Sequence, residues 1–428
     1  MKYLFILVLL LCNFAIRASS LKEETQNLEQ LDVAIIGGGH VGLSVAFALQ
    51  KQGIFNVAIF ESAKKNCEGP WCTTARMKYL RSKKEGLNNL SLGNSTISFQ
   101  EWYKTNYNDW DKLTNVSPPL WAEYLQWYRD VLQLPVQNEW RLETIVPENN
   151  FLRLKFNNKR DVLTKKVVLA TGRSGCGGFT IPSFINNVPR SLYYHTGEHI
   201  DPSIFKDKTV CIIGAGPSAF DVIFTALENG SKKVQVIMRK ELLPKKNLFS
   251  AFPHWKNFYA LDDELRAQIF KSALANGTPP LEKQVNDLDW CKKLTVYNST
   301  QILSVVPKNT LIIKTNRGKI KTDLIILATG YKADISSVQE LNDISHLILS
   351  WNDVLPEISD NLKGFPYLGK HFEFLEKISG SAPFLKNIHC FNYGAFLSHG
   401  RIAGDIDLLP IGLDRLLQGI RDDLNQKN

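Results

Sequence analysis

Leu31-Asp32-Val33-Ala34-Ile35-Ile36-Gly37-Gly38-Gly39-His40-Val41-Gly42 is the stretch that decides the fold of this 428-residue chain. An apolar run of buried-strand type breaks into G-x-G-x-x-G, then resumes over residues 43–52 with helical periodicity until Gly53. Each glycine has a separate task. Gly37 permits the tight turn, Gly39 lets backbone amides approach a pyrophosphate, and Gly42 lets the helix pack closely on the strand, with the helix N-terminus facing the negative charge. A second strand over 57–60 ends at Glu61, 24 residues past Gly37, where an acid binds ribose hydroxyls. His40 reads as a filler inside the turn.

The arrangement recurs. Thr209–Ile213 is a strand, Gly214-Ala215-Gly216-Pro217-Ser218-Ala219 a turn, and 220–227 an amphipathic helix ending near Gly230. Its second strand, Val234-Gln235-Val236-Ile237-Met238, runs into Arg239-Lys240, with Arg239 25 residues past Gly214. A base where the ribose-binding acid would stand suits a 2′-phosphate, so the reading is NADPH rather than NADH. Two further strands, at 167–169 and 324–327, end alike, in Ala170-Thr171-Gly172 and Ala328-Thr329-Gly330-Tyr331. Each closes a block opened by a glycine turn. The expected architecture is therefore α/β, with two nested Rossmann-like domains: 31–175, an inserted 176–330, and a return segment 331–428.

Composition sets the outer bounds. With 44% hydrophobic and 22% charged residues, 27 Gly and 18 Pro, disorder, collagen and coiled coil are excluded. The net charge of +9 is scattered in basic pairs and lacks the stripe or module that nucleic acid requires. Anionic small molecules are the better use of it.

Lys2, the apolar residues 3–16 and Ala18-Ser19-Ser20 give the order of a secretory signal peptide over 1–20. That apolar run would reach only about 21 Å, short of a ~30 Å hydrocarbon core, so no stable membrane span is expected. Removal of Arg17 and Lys2 with the leader would leave +7, and six cysteines: 67, 72, 176, 211, 291 and 390. The expected compartment is the secretory pathway or beyond, the endoplasmic reticulum lumen or the exterior in a eukaryote. There Asn89, Asn94, Asn115, Asn229, Asn276 and Asn298 would be glycosylation acceptors.

On these residues, 31–428 resembles the two-dinucleotide-binding flavoproteins, and within them the flavin-containing and N-hydroxylating monooxygenases. The resemblance implies that Gly37, Gly39, Gly42 and Glu61 bind FAD and that Gly214, Gly216 and Ala219 bind NADPH, joined by Arg239. Gly69-Pro70-Trp71 looks like the family's Gly-Gly-x-Trp segment, and Thr329 and Gly330 stand in its A-T-G-Y. His195 is placed as the histidine of the interdomain hinge motif, which departs from the family at Pro189, Ser191 and His199. Asn88 and Asn89 are candidates for an asparagine that some members keep near the flavin. The implied chemistry is reduction of FAD by NADPH, capture of dioxygen as a flavin C4a-hydroperoxide, and oxygenation of a small nitrogen or sulfur nucleophile or a heterocycle. No side chain is marked as a catalytic acid or base.

Two rival readings use the same chain. Cys67-Glu68-Gly69-Pro70-Trp71-Cys72 stands near where disulfide oxidoreductases of the superfamily keep a flavin-facing pair, and a non-catalytic FAD-binding redox sensor needs only the first turn. His195 and His199 are four apart, but Gly197 argues against a helical metal site, so no metal is expected. Five tryptophans (102, 110, 121, 127, 140) cluster around a helix opened by Ser117-Pro118-Pro119; most are expected in the core, with one or two lining a substrate channel. Residues 245–290 lack a strand rhythm and read as a lid or a surface insertion on the second domain.

Overall fold

The computed structural model describes residues 28–425, apart from 246, 249–251, 253 and 289–290. The leader expected at 1–20, with Cys12, lies outside the described residues.

The first sheet contains β1 (Glu29–Ile36), β2 (Val57–Glu61), β3 (Val136–Asn138), β4 (Leu142–Glu148), β5 (Phe151–Phe156) and β6 (Val162–Leu169), in the order β3-β2-β1-β6-β5-β4. β1 runs parallel to β2 and β6, with Ile36 opposite both Phe60 and Leu169, so the chain leaves β1 between two strand ends. β2 is buried throughout, β6 apart from Lys165, and β1 from Val33 to Ile36, as parallel strands covered on both faces must be.

The second sheet repeats the plan with β7 (Tyr193–His195), β8 (Thr209–Ile213), β9 (Lys233–Ile237), β10 (Leu294–Tyr297) and β14 (Leu324–Leu327), in the parallel order β10-β9-β8-β14-β7. Beside it lies an antiparallel meander of β11 (Ile302–Pro307), β12 (Leu311–Thr315) and β13 (Gly318–Thr322). The two-residue period of β14 divides its side chains. Leu324 and Ile326 pack with the helix α3 (Pro217–Glu228), whereas Ile325 and Leu327 pack with Val305 and Ile313 of the meander.

The chain beyond Tyr331 goes back to the first sheet. Strand β15 (Ile388–Cys390) pairs in parallel with the C-terminal half of β6, whose N-terminal half is taken by β5. The last helix, α5 (Leu409–Asn425), is tied down by Lys166, buried in β6, which pairs with Asp423.

The aromatic helix α2 (Pro118–Val131) is capped by Ser117, whose hydroxyl accepts from the Leu120 amide, with proline at its start. Trp121, Tyr124 and Tyr128 are fully buried, and both phenols donate to carbonyls at 2.8 Å. The rings gather around Phe99, so the tryptophans at 102, 110 and 121 are core.

The stretch 245–290 corrects the sequence expectation. Trp255, Phe258 and Phe270, the last in α4 (Asp263–Asn276), are buried in the core of the first domain. Phe270 meets Phe365 edge-on at 5.4 Å, Tyr259 stacks on His399 at 4.7 Å, and Arg415 donates to the Lys256 carbonyl at 2.7 Å. Residues 254–276 form a strap from the inserted unit onto the return segment. Three aromatics of that size contribute roughly 1.5–3 kcal/mol each through burial, far more than an open lid would bury.

Candidate active site

Both glycine turns open at the carboxyl ends of parallel strands. Gly37 has φ +108°, and a Cβ there would lie 2.5 Å from the Ala170 carbonyl oxygen; at Gly42 it would lie 1.9 Å from that of Gly37. The constraint at Gly39 differs. It caps α1 (His40–Lys51), and a Cβ there would meet nothing nearer than Gly69 Cα at 3.8 Å, so the space beyond its amides is open. An anion seated there faces the first-turn amides and the positive end of the helix dipole.

Glu61 ends β2 with both carboxylate oxygens engaged: Oε2 accepts from the Gly38 amide and Oε1 from the Ala63 amide, each at 2.7 Å. Gly69-Pro70-Trp71 roofs the turn. The Trp71 ring lies 6.0 Å from that of His40, and its Nε1 is a buried donor without an acceptor among the described residues. An open helix N-terminus, a carboxylate at the second strand and an unmet indole donor suit a dinucleotide. The roof is pinned by Glu68, which pairs with Arg129 and accepts from Asn138 at 2.8 Å.

The loop 404–407 forms the opposite wall, which the sequence reading missed. His40 Nε2 lies 3.3 Å from the Gly404 carbonyl oxygen, and Asn89 donates to the carbonyls of Ile406 and Asp407. Asn88 accepts from the Gln100 amide at 2.9 Å. Asn88 and Asn89 therefore hold backbone. The asparagine at the strand ends is Asn392, which donates to Thr171 Oγ1 at 2.9 Å and accepts from the Gly394 amide at 2.8 Å. Only its place after β15, on a strand more than 200 residues from Thr171, reveals it.

The second turn has the same geometry. Gly214 has φ +115° with the Ala328 carbonyl oxygen 2.4 Å from where a Cβ would stand; Ala219 is fully buried; Gly216 caps α3, and no atom of the described residues lies within 4 Å of where its Cβ would stand. Arg239 is exposed just past β9, on the strand beside the turn. Thr329 and Gly330 bind the Thr180 carbonyl and amide, the amide to the Gly330 oxygen at 2.9 Å.

His195 joins the halves. It ends β7, is fully buried, stacks on Phe179 at 4.5 Å and accepts from the Gly197 amide at 3.0 Å. Burial pulls its pKa down to about 4, so the ring is neutral at pH 7. His199 is exposed, and among the described residues no group of three or more His, Cys, Asp or Glu is placed to hold a metal. Arg76 spans the junction to the Thr196 carbonyl at 2.8 Å and that of Glu198, and Arg81 pairs with Asp221 of α3 at 2.7 Å.

Cys67 and Cys72 are free thiols, and Cys72 is exposed. Its thiol is pushed up by desolvation, with Cys67 and Glu68 adding to the rise, which is opposite to what a redox nucleophile needs.

Residues 34–253 match the pyridine nucleotide-disulphide oxidoreductase family. The chain is 31% identical over 406 residues to an FAD-dependent urate hydroxylase of Xanthomonas campestris, covering 92% of this chain and 86% of that protein. Among solved structures, the ornithine hydroxylase of Pseudomonas aeruginosa superposes with a TM-score of 0.73 at 15% identity, over 92% of this chain and 100% of that one. The ornithine N-hydroxylase of a Kutzneria species, solved with reduced FAD, NADP+ and L-ornithine, gives 0.66 at 14% identity, over 92% and 100%. These two likenesses show the fold.

Proposed function

Because the chain belongs to the pyridine nucleotide-disulphide oxidoreductase family, and is thus an oxidoreductase, we propose that it is an FAD- and NADPH-dependent hydroxylase of a small nitrogen heterocycle, with urate the first substrate to test. The observation that carries the reading is the presence in one chain of two open, glycine-capped helix N-termini, at Gly39 and Gly216, each following a strand with parallel neighbours. The end-to-end likeness to a urate hydroxylase supports the substrate.

FAD, when bound, supplies the redox chemistry, accepting hydride from the nicotinamide and activating dioxygen. The chain supplies position and dryness. Gly37, Gly39, Gly42, Glu61 and Trp71 hold the flavin nucleotide; Gly214, Gly216, Ala219 and Arg239 hold the pyridine nucleotide; Thr329 and Gly330 fix the floor of the second crevice to Thr180. His195 acts as a packing element of the hinge, its imidazole neutral near pH 7.

The disulfide reading is disfavoured by the raised Cys72 thiol, and the sensor reading by a second turn as complete as the first. Export through the leader at 1–20 is part of the proposal; N-terminal sequencing of the mature chain would find Leu21 first. The activity test is NADPH consumption by the FAD-loaded protein with urate and dioxygen. A one-to-one ratio of NADPH to urate consumed is expected, and no urate-dependent oxidation would remove the substrate assignment.

A further inference from the structure

Three strand ends converge where the crevices meet. Arg173 follows Ala170-Thr171-Gly172 at the end of β6, Tyr331 follows the corresponding end of β14, and Tyr393 follows β15. The Tyr393 amide donates to the Gly172 carbonyl at 3.3 Å, one residue from Arg173. Tyr331 is bridged to Phe179, and its ring lies 5.8 Å from Phe179 and 5.9 Å from His195. The Tyr393 ring is wedged between Phe365 at 5.6 Å and Phe396 at 5.1 Å. Both rings are thus held by packing.

The guanidinium of Arg173 is different. The other arginines nearby are committed: Arg76 to carbonyls, Arg81 to Asp221, Arg190 to Glu198. Arg173 is exposed, and among the described residues no carboxylate lies within ion-pair distance of it. It nevertheless reaches both tyrosines electrostatically, drawing back phenols that burial raises.

We propose that Arg173, flanked by Tyr331 and Tyr393, is the recognition site for an anionic, planar oxo-heterocycle. The proposal rests on the hydroxylase reading above and names what that site grips. A guanidinium fork matches two neighbouring acceptors on one edge of such a ring, and the tyrosines offer apolar faces and hydroxyls on either side. Urate is a planar monoanion at neutral pH. The mouth at the carboxyl ends of parallel strands is where α/β proteins of this kind bind ligands.

The test compares wild type, Arg173→Gln and Arg173→Lys, each loaded with FAD. Urate affinity is read from the perturbation of flavin absorbance, NADPH affinity from the same signal, and KM and kcat from turnover. The expected result is a urate Kd and KM about ten- to a hundredfold higher in R173Q, partly recovered in R173K, at unchanged NADPH affinity. Unchanged urate affinity in R173Q would overturn the proposal. So would an equal loss of NADPH affinity, which would give the cation to the coenzyme, or loss of FAD from both variants, which would give it to the flavin nucleotide. If wild-type protein shows neither perturbation nor turnover with urate, the hydroxylase reading falls and this inference falls with it; a response in wild type that R173Q keeps intact removes the inference alone.

Discussion

The amide of Gly38, inside the first glycine turn, donates across 2.7 Å to Oε2 of Glu61 at the end of the neighbouring strand. The carboxylate thereby shapes the turn, and its other oxygen accepts from the Ala63 amide. Glu61→Gln keeps the size but puts an NH2, which cannot accept, in place of one of the two accepting oxygens and leaves the other uncharged, where a hydrogen bond to a charged group contributes about 1.5–3 kcal/mol. FAD affinity, followed by flavin fluorescence quenching, should weaken at least tenfold. Unchanged affinity would mean the acid serves the turn alone.

Arg239 stands exposed beyond β9 with no ion pair among the described residues. Arg239→Ala should raise KM for NADPH roughly tenfold and leave KM for NADH nearly as it was, since only the former carries a 2′-phosphate. An equal change in both would place the coenzyme phosphate elsewhere.

His195 gives a stability dependence on pH with a definite sign. Its pKa falls from 6.5 to about 4 in the fold through burial, so the folded state binds fewer protons than the unfolded one. The contribution is complete above 6.5 and is lost as pH falls from 6.5 towards 4, by up to about 3 kcal/mol. His389, pulled down to about 3 by burial beside Lys166, acts in the same direction. Urea unfolding at pH 7, 5.5 and 4.5 should show this decline, and His195→Gln should flatten it while lowering stability at pH 7. An identical pH slope in the variant would contradict the buried neutral ring.

The strap predicts a core defect. Phe270→Ala should cost about 3–5 kcal/mol, seen as a lower denaturant midpoint, because it opens a hole against Phe365. A surface lid would tolerate the change within about 0.5 kcal/mol.

The glycine turns were legible because their requirements are local. A positive φ at Gly37 and Gly214, and a carbonyl too close for a Cβ, act within one strand-turn-helix unit and its neighbouring strand. The strap was not legible. Trp255, Phe258 and Phe270 stand in a stretch without a strand rhythm, and residues that meet them, Phe365 and Gly400 among others, lie far onward in the chain. Asn392 and Arg173 belong to this second kind, since their meaning comes from which strand ends the topology brings together. Asn89 is the opposite case, a candidate picked by its position in the sequence whose amide the fold places on the carbonyls of the 404–407 loop.

Cys67 and Cys72 give a decision between chemistries. The double variant Cys67→Ser/Cys72→Ser should retain NADPH-dependent oxygenation within about twofold, as these thiols, one exposed and raised in pKa, take no part in it. Abolished turnover with FAD still bound would favour dithiol chemistry.

The most direct measurement is isotopic. Purified, FAD-loaded protein is given urate and NADPH under 18O-labelled dioxygen, and the product is analysed by mass spectrometry before it decays. The hydroxylase account predicts one labelled oxygen atom per urate consumed. Product without label, or NADPH oxidised with urate intact, would contradict it.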